Sequence, residues 1–403
     1  MDLQLPPPRL RERRFDVGDK QVRVLLGHDC LEEAAEAFAA LDADRFVIVT
    51  DDTVRDVVSG KLAGLLEQSA PTLLLSHPPG EDHKNLATLS RFIDLALDFG
   101  VTRRSVVLAV GGGIPGNVAG LLAGLLFRGV RLAHFPTTAI AACDSVISAK
   151  QAVNTAHAKN TVGLYHPPEM IFIDLGVVAL GSPRDLRSGT CETVKNALAL
   201  EPGQIPRLRR LLRPGADYTP AELAEILELS LDVKGRVLLE DPLEKGVGVL
   251  LEYGHTVGHA LELAGAGTGR GPGTTGVRHG EAIALGMAAA ARIAHRLGML
   301  DSAAVGVHEE LINQAGVCRC LTAGLSPEAV MQHIEFDNKR GYRRHRAGEI
   351  PMVLLEALGA AAHPGQHYLT PVPRTEVLAS VHELLRQGKE CAKGCAKGWD
   401  SRD

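Results

Sequence analysis

The 403-residue sequence predicts an α/β fold in which a parallel-sheet domain is followed by a mainly α-helical domain. Three observations carry that reading. Short apolar or β-branched runs alternate with helical patterns up to about residue 180. One of those runs ends in three glycines that open a helix. Beyond it, the apolar spacing turns almost wholly helical. The boundary falls near Gly181–Pro183, which gives domains 1–180 and 181–386 and a tail, 387–403, expected to be disordered.

RFVIVTDD (45–52) reads as a strand ending in acidic residues, PTLLLSHPP (71–79) as a second, and SVVLAVGGG (105–113) as a third. A helix, NVAGLLAGLLFRG, and a fourth strand, VRLAHFPTT, come next. That order makes a βαβ unit in a Rossmann-like sheet, with ligands expected at the carboxyl ends of its strands. In the second half PRDLRSGTCETVKNALAL, TPAELAEILELSLDVKGRVLLED, LLEYGHTVGHALELAG and RHGEAIALGMAAAARIAHRLG all carry helical spacing. AGAGTGRGPGTTGV (264–277) reads as a flexible loop between two helices.

Composition narrows the function classes. At 45% hydrophobic and 23% charged residues the chain is neither disordered nor fibrous. A net charge of -5 without a concentrated basic stripe argues against nucleic acid or an anionic membrane as partner. No apolar stretch reaches the ~18 residues of a membrane span. The N-terminus, MDLQLPPPRLRERR, lacks the apolar segment of a secretory signal, so a cytoplasmic protein is expected. Seven scattered cysteines with no CxxC pair fit reduced thiols, and a metal clip at the CxxxC of Cys391 and Cys395 lacks further ligands.

Three groups of residues carry chemistry. In VVLAVGGGIPGNVAG, residues without Cβ at 111–113 let backbone N–H groups approach a pyrophosphate at a helix N-terminus. This is not the GxGxxG fingerprint, and a tight turn with packing glycines is the less favoured alternative. Asp51 ends a strand where a ribose hydroxyl could bond, although alone it reads as a helix cap. Glu81 and Lys84 read equally as a solvated loop pair. His255 and His259, four residues apart, share a helix face, with Glu252 before them, His279 opening the next helix and Glu192 on an earlier one. Two imidazoles, a carboxylate and an open position are how a catalytic zinc site is built, and spacing leaves open which three bind. Lys150, Lys159, Lys195, Lys234, Lys339 and Arg340 each read as solvated when taken singly; together they fit a phosphorylated, anionic substrate.

The run GGGIPGNVAGLLAGLLFRG…FPTT…DSVISAKQAVN…KN, then RSGTCETVKNALA, LEYGHTVGHA, HGEAIALGM and DNKRGY, resembles the sugar phosphate cyclase family founded by dehydroquinate synthase, from about Asp51 to Leu355. The resemblance implies a dehydroquinate synthase-like fold, NAD, a divalent metal (Zn2+ or Co2+), a homodimer, and metal ligands Glu192, His255 and His279. It places His259 toward substrate phosphate. It assigns the NAD contacts to Asp51, Glu81, Lys84, Gly113, Ile114, Pro115, Gly116, Asn117, Thr137, Thr138, Asp144 and Lys159. Lys150 and Glu252 match a catalytic pair, with Asn160, Lys195, Lys234 and Lys339 around the substrate.

Within the family, three positions point to the branch that makes an inosose from glucose 6-phosphate. Glu252 replaces an asparagine, Gly248 replaces the arginine that grips a substrate carboxylate, and Asn117 replaces an aspartate. A carboxylate left without its arginine is costly, and a substrate without a carboxylate removes that problem. Ala142, Cys143 and GLYHPP depart from that branch, and the 264–277 loop is longer. The chemistry implied is a transient oxidation by bound NAD, β-elimination of phosphate, return of hydride, ring opening and aldol closure. The alternatives are a cyclase of the sedoheptulose 7-phosphate or dehydroquinate type, an iron-type NAD-dependent polyol dehydrogenase, and a catalytically inactive scaffold.

Overall fold

The computed structural model describes residues 10–395 apart from 19, 157–158, 267–275, 336–345 and 363–367. The chain divides into two compact units, Met1–Gly181 and Ser182–Asp403.

Among the described residues the first unit carries nine strands: β1 (Leu10–Val17), β2 (Lys20–Gly27), β3 (Phe46–Asp51), β4 (Thr72–His77), β5 (Val106–Gly111), β6 (Arg131–Pro136), β7 (Lys150–Val153), β8 (Val162–Tyr165) and β9 (Met170–Asp174). Seven form one sheet in the order β1-β2-β9-β6-β5-β3-β4, parallel except for the β1–β2 pair. β7 and β8 form a separate antiparallel pair. The helices are α1 (Leu31–Ala39), α2 (Gly60–Leu66), α3 (Leu86–Asp98), α4 (Gly113–Leu125) and α5 (Leu175–Ala179). Alternation along the strands builds two cores. Phe46, Ile48, Leu108 and Phe135 pack with α1 and α2 residues, whereas Val47, Val49, Val107 and Leu132 pack with α3 and α4 residues. Continuous apolar strands with both faces covered are what a parallel sheet requires. The four predicted strands are β3, β4, β5 and β6. The β1–β2 hairpin was not anticipated, because its charged LRERRFDV edge carries little apolar signal.

The second unit contains α6 (Pro183–Ala199), α7 (Ile205–Leu211), α8 (Pro220–Glu240), α9 (His255–Ala266), α10 (His279–Arg296), α11 (Ser302–Gln314), α12 (Pro327–Ile334) and α13 (Arg374–Cys395). α10 is its axis, alanine-rich and almost wholly buried. A Cβ at Gly286 would overlap the Gly254 carbonyl, and one at Gly280 would overlap the Ser188 carbonyl. Bare backbone therefore brings α6, α9 and α10 together at spacings that side chains would forbid. Two departures from expectation stand out. Four short strands, β10 (Glu349–Met352), β11 (Leu354–Ala357), β12 (Ala360–Ala362) and β13 (Thr370–Pro373), form two antiparallel pairs in this unit. The tail expected to be disordered from 387 instead continues α13 as far as Cys395, anchored by buried Val377, Val381, Leu384 and Leu385. α9 also runs to Ala266 inside the expected 264–277 loop, and 267–275 lie outside the described residues. Among the described residues no helix is long and apolar enough to cross a membrane.

Candidate active site

In the helical unit, three elements deliver side chains to one point. α9 presents His255 and His259, α10 starts with His279, and α6 carries Glu192 and Lys195. Potential ligand atoms of His255, His259 and His279 all lie within 4.8 Å of one another. Glu192 is fully buried, with Oε1 3.5 Å from His279 Nε2 and Oε2 against Lys195 Nζ. Burial pushes its carboxyl up, but Lys195 and the two nearby imidazoles prevail and hold it well below the usual range. Lys195 and His279 are the groups against its oxygens, and a buried carboxylate held charged in this way can also serve as a donor to a cation.

The imidazoles are oriented from behind. His255 Nδ1 donates to the Tyr253 carbonyl at 3.2 Å and is thereby kept a neutral tautomer with Nε2 free to ligate. Burial, then Lys195, depresses its pKa to about 3. His279 Nδ1 meets Glu262 Oε2 at 3.3 Å. There burial opposes protonation, but Glu192 and Glu262 together push the imidazole up to about 10. A divalent cation would take the place of that proton. The donor set therefore fits a divalent metal. Glu252, whose charge acts on His255, closes the turn before α9. Lys234 is buried on α8. Lys339 and Arg340 lie outside the described residues.

The position of α10 is fixed by a buried ion pair that sequence reading missed. Arg184 Nε and Nη2 donate to Glu281 Oε1 and Oε2 at 2.8 and 2.7 Å. Glu281 also accepts from the Arg278 N–H, capping the helix that His279 begins. Glu262 was missed too, although it lies seven residues after His255 and three after His259, on one helical face.

In the sheet unit, Gly112 caps α4 directly after β5. A Cβ at Gly111 would stand 2.7 Å from Pro115 Cγ, and one at Gly112 3.4 Å from the Thr138 side chain. The turn is thus bare backbone beside Thr138, with Ser145 at the end of a π-helical turn, Ala141–Ser145, that includes Asp144. Such a cradle at a helix N-terminus fits a dinucleotide pyrophosphate. Thr137 Oγ1 is buried there without a hydrogen bond. Ile114, Pro115 and Gly116 form the first turn of α4. Asn117 donates to the Gly113 carbonyl and accepts from the Ala152 N–H, so it ties α4 to β7. Asp51 accepts from the Thr53 N–H at 2.9 Å, closing the turn after β3. Lys84 donates to Asn160, and Asn154 donates to Glu81 at 2.7 Å and accepts from the Asn160 N–H at 3.0 Å. Lys159 lies 3.8 Å from Glu81. Glu81, Lys84, Lys159 and Asn160 thus meet in one polar cluster, completed by Asn154. Lys150 begins β7, opposite Tyr165.

Comparison with known proteins agrees with both halves. Residues 74–188 match the family model described as 3-dehydroquinate synthase N-terminal, and residues 189–340 that described as 3-dehydroquinate synthase C-terminal. A 2-deoxy-scyllo-inosose synthase of Streptoalloteichus tenebrarius is 43% identical over 369 residues, 91% of this chain and 94% of that protein. A crystal structure of 2-deoxy-scyllo-inosose synthase complexed with carbaglucose-6-phosphate, NAD+ and Co2+ is 36% identical with a TM-score of 0.86, covering 93% of this chain and 100% of that one. A 2-epi-5-epi-valiolone synthase from Streptomyces hygroscopicus with NAD+ and Zn2+ bound is 26% identical with a TM-score of 0.71, covering 95% of this chain and 100% of that one.

Proposed function

The chain belongs to the 3-dehydroquinate synthase family of sugar phosphate cyclases, and from that premise we propose that it converts glucose 6-phosphate to 2-deoxy-scyllo-inosose and phosphate, the entry to an aminoglycoside. Gly248 carries the choice of branch. A Cβ there would stand 2.8 Å from Glu244 Cβ and 2.9 Å from Asp241 Oδ2, and its N–H already donates to Asp241. No arginine fits where a carboxylate-bearing substrate would need one, and an aldose phosphate carries no carboxylate to pair.

Bound NAD supplies the transient oxidation at C4 and the return of hydride, and a Zn2+ or Co2+ ion polarises the oxygen there. Glu192, His255 and His279 hold that ion, with Glu262 and the Tyr253 carbonyl fixing the two rings. Lys195 keeps Glu192 anionic. Glu252 is the base that takes the C5 proton, with Lys150 as its partner. Lys195, Lys234, His259, Asn160 and Lys339 bind the substrate and offset charge on the departing phosphate. Asp51, Glu81, Lys84, Gly113 to Asn117, Thr137, Thr138, Asp144 and Lys159 bind the dinucleotide. The enzyme works as a homodimer in the cytoplasm.

The test is phosphate release from glucose 6-phosphate with NAD+ and Co2+ or Zn2+, with NADH absorbance followed in parallel. Phosphate released without NADH accumulating is the expected result. Release from sedoheptulose 7-phosphate alone would move the chain to another branch of the family, and NADH accumulating from a polyol would make it a dehydrogenase.

A further inference from the structure

Away from these residues, the helical unit contains an open cavity of about 460 Å³ lined by Asn313, Cys318, Arg319, Gln387, Glu390 and Cys391 among others. Two of its lining residues are cysteines 73 positions apart in sequence whose Sγ atoms stand 3.7 Å from each other. Cys318 ends the approach to the turn Arg319–Thr322, and Cys391 lies on α13. The approach of these elements is set by backbone, since a Cβ at Gly388 would overlap Thr322 Oγ1 and come within 2.8 Å of the Arg319 carbonyl. Neither cysteine is in a disulfide, and both are half-buried. Cys320 is also close, and its N–H donates to Cys318 Sγ at 3.3 Å. Among the described residues, however, only the three histidines bring three ligand atoms within 4.8 Å, so the thiols converge as a pair and not as a metal cage.

We propose that Cys318 and Cys391 form a reversible disulfide by exchange with a low-molecular-weight disulfide entering through this cavity. The Cys391 thiolate attacks the small disulfide, whose S–S bond breaks and releases one small thiolate. Cys318 then gives up its proton to solvent and attacks Cys391 in the mixed disulfide, releasing the second small thiol. The protein pair loses two electrons and the reagent gains them. Arg319 lines the same cavity as Cys391, which sets a cation beside the attacking sulfur. Cys318, its sulfur 3.7 Å away, supplies the second thiol, and that proximity offsets the burial that pushes its thiol up to about 12. The bond pins the last turns of α13 to the Arg319–Thr322 turn and closes a long loop.

The purified full-length protein is incubated with oxidised glutathione, alkylated, digested without reductant and mapped by mass spectrometry. A peptide linking Cys318 to Cys391 is expected, with two free thiols lost and the apparent Tm raised by about 10 °C, reversed by a phosphine reductant. The shift disappears in C318S and C391S and persists in C320S. Glutathione left on Cys391, a bond from Cys391 to Cys395, a bond from Cys318 to Cys320, or a second equivalent of zinc that C391S loses would each overturn the proposal. The peptide map of the unmutated protein decides the matter even where a serine variant folds poorly.

Discussion

In the sheet unit the groups of interest stand at strand ends and on connections: Asp51 ends β3, Glu81 and Lys84 follow β4, Gly112 lies between β5 and α4, and Thr137 and Thr138 follow β6. In the helical unit they stand on buried helix faces, with Glu192 at 0% and Lys195 at 1% exposure. A dinucleotide is long and is held largely by backbone N–H groups, so loops at strand ends suffice. A metal needs three donors fixed against one another, and packed helices with buried partners supply that rigidity.

The largest expected effect tests the rigid half. His279→Ala or Glu192→Gln should cut phosphate release by ~10³-fold or more and lower bound metal in elemental analysis, while NAD binding is retained. Loss of NAD binding in these variants would break the distinction drawn between the units. Next comes the anchor of α10. Glu281→Gln or Arg184→Met breaks the buried two-bond pair and should cost about 3 kcal/mol, read as a lower urea midpoint.

Each unit also carries a buried histidine that responds to acid. Burial depresses His134 in the sheet unit and His308 in the helical unit to about 4. Both are neutral when folded, and His308 Nε2 accepts from the Tyr253 hydroxyl at 2.9 Å. Between pH 4 and the unfolded value near ~6.5 the unfolded state binds the extra proton, so stability is full above that window and falls as pH drops through it. Each histidine should cost about 2 kcal/mol between pH 7 and pH 5 by urea unfolding, and His308→Gln should remove its own share only. The smallest effect tests the loop half. Gly112→Val places methyl groups against Thr138 and should weaken NAD by ~10-fold in a binding titration, with metal content unchanged.

Much of this was legible in the sequence because the signals are local. The strand runs, the 111–113 glycines and the four-residue spacing of His255 and His259 each report their own element. What escaped depends on partners far along the chain. Glu262 acts only because α10 brings His279 to it, and Arg184 meets Glu281 across 97 residues. The β1 edge is charged where a buried strand would be apolar. The end of α13 was misread because its polar, glycine-containing last turns continue a helix whose apolar anchors lie upstream, among Val377 to Leu385.

The Gly280–Ser188 contact has a consequence for the order in which the protein comes into being. Gly280 donates its N–H to Ser188 Oγ at 2.9 Å across 92 residues, and the contact that seats His279 beside Glu192 is among the long-range closures of the unit. Loop-closure entropy is met before such contacts stabilise anything, so they consolidate late. A ribosome-bound chain that ends before α10 holds Glu192, His255 and His259 but cannot yet assemble the pocket. The three-histidine cluster is therefore complete only once α10 has been translated and docked on α6.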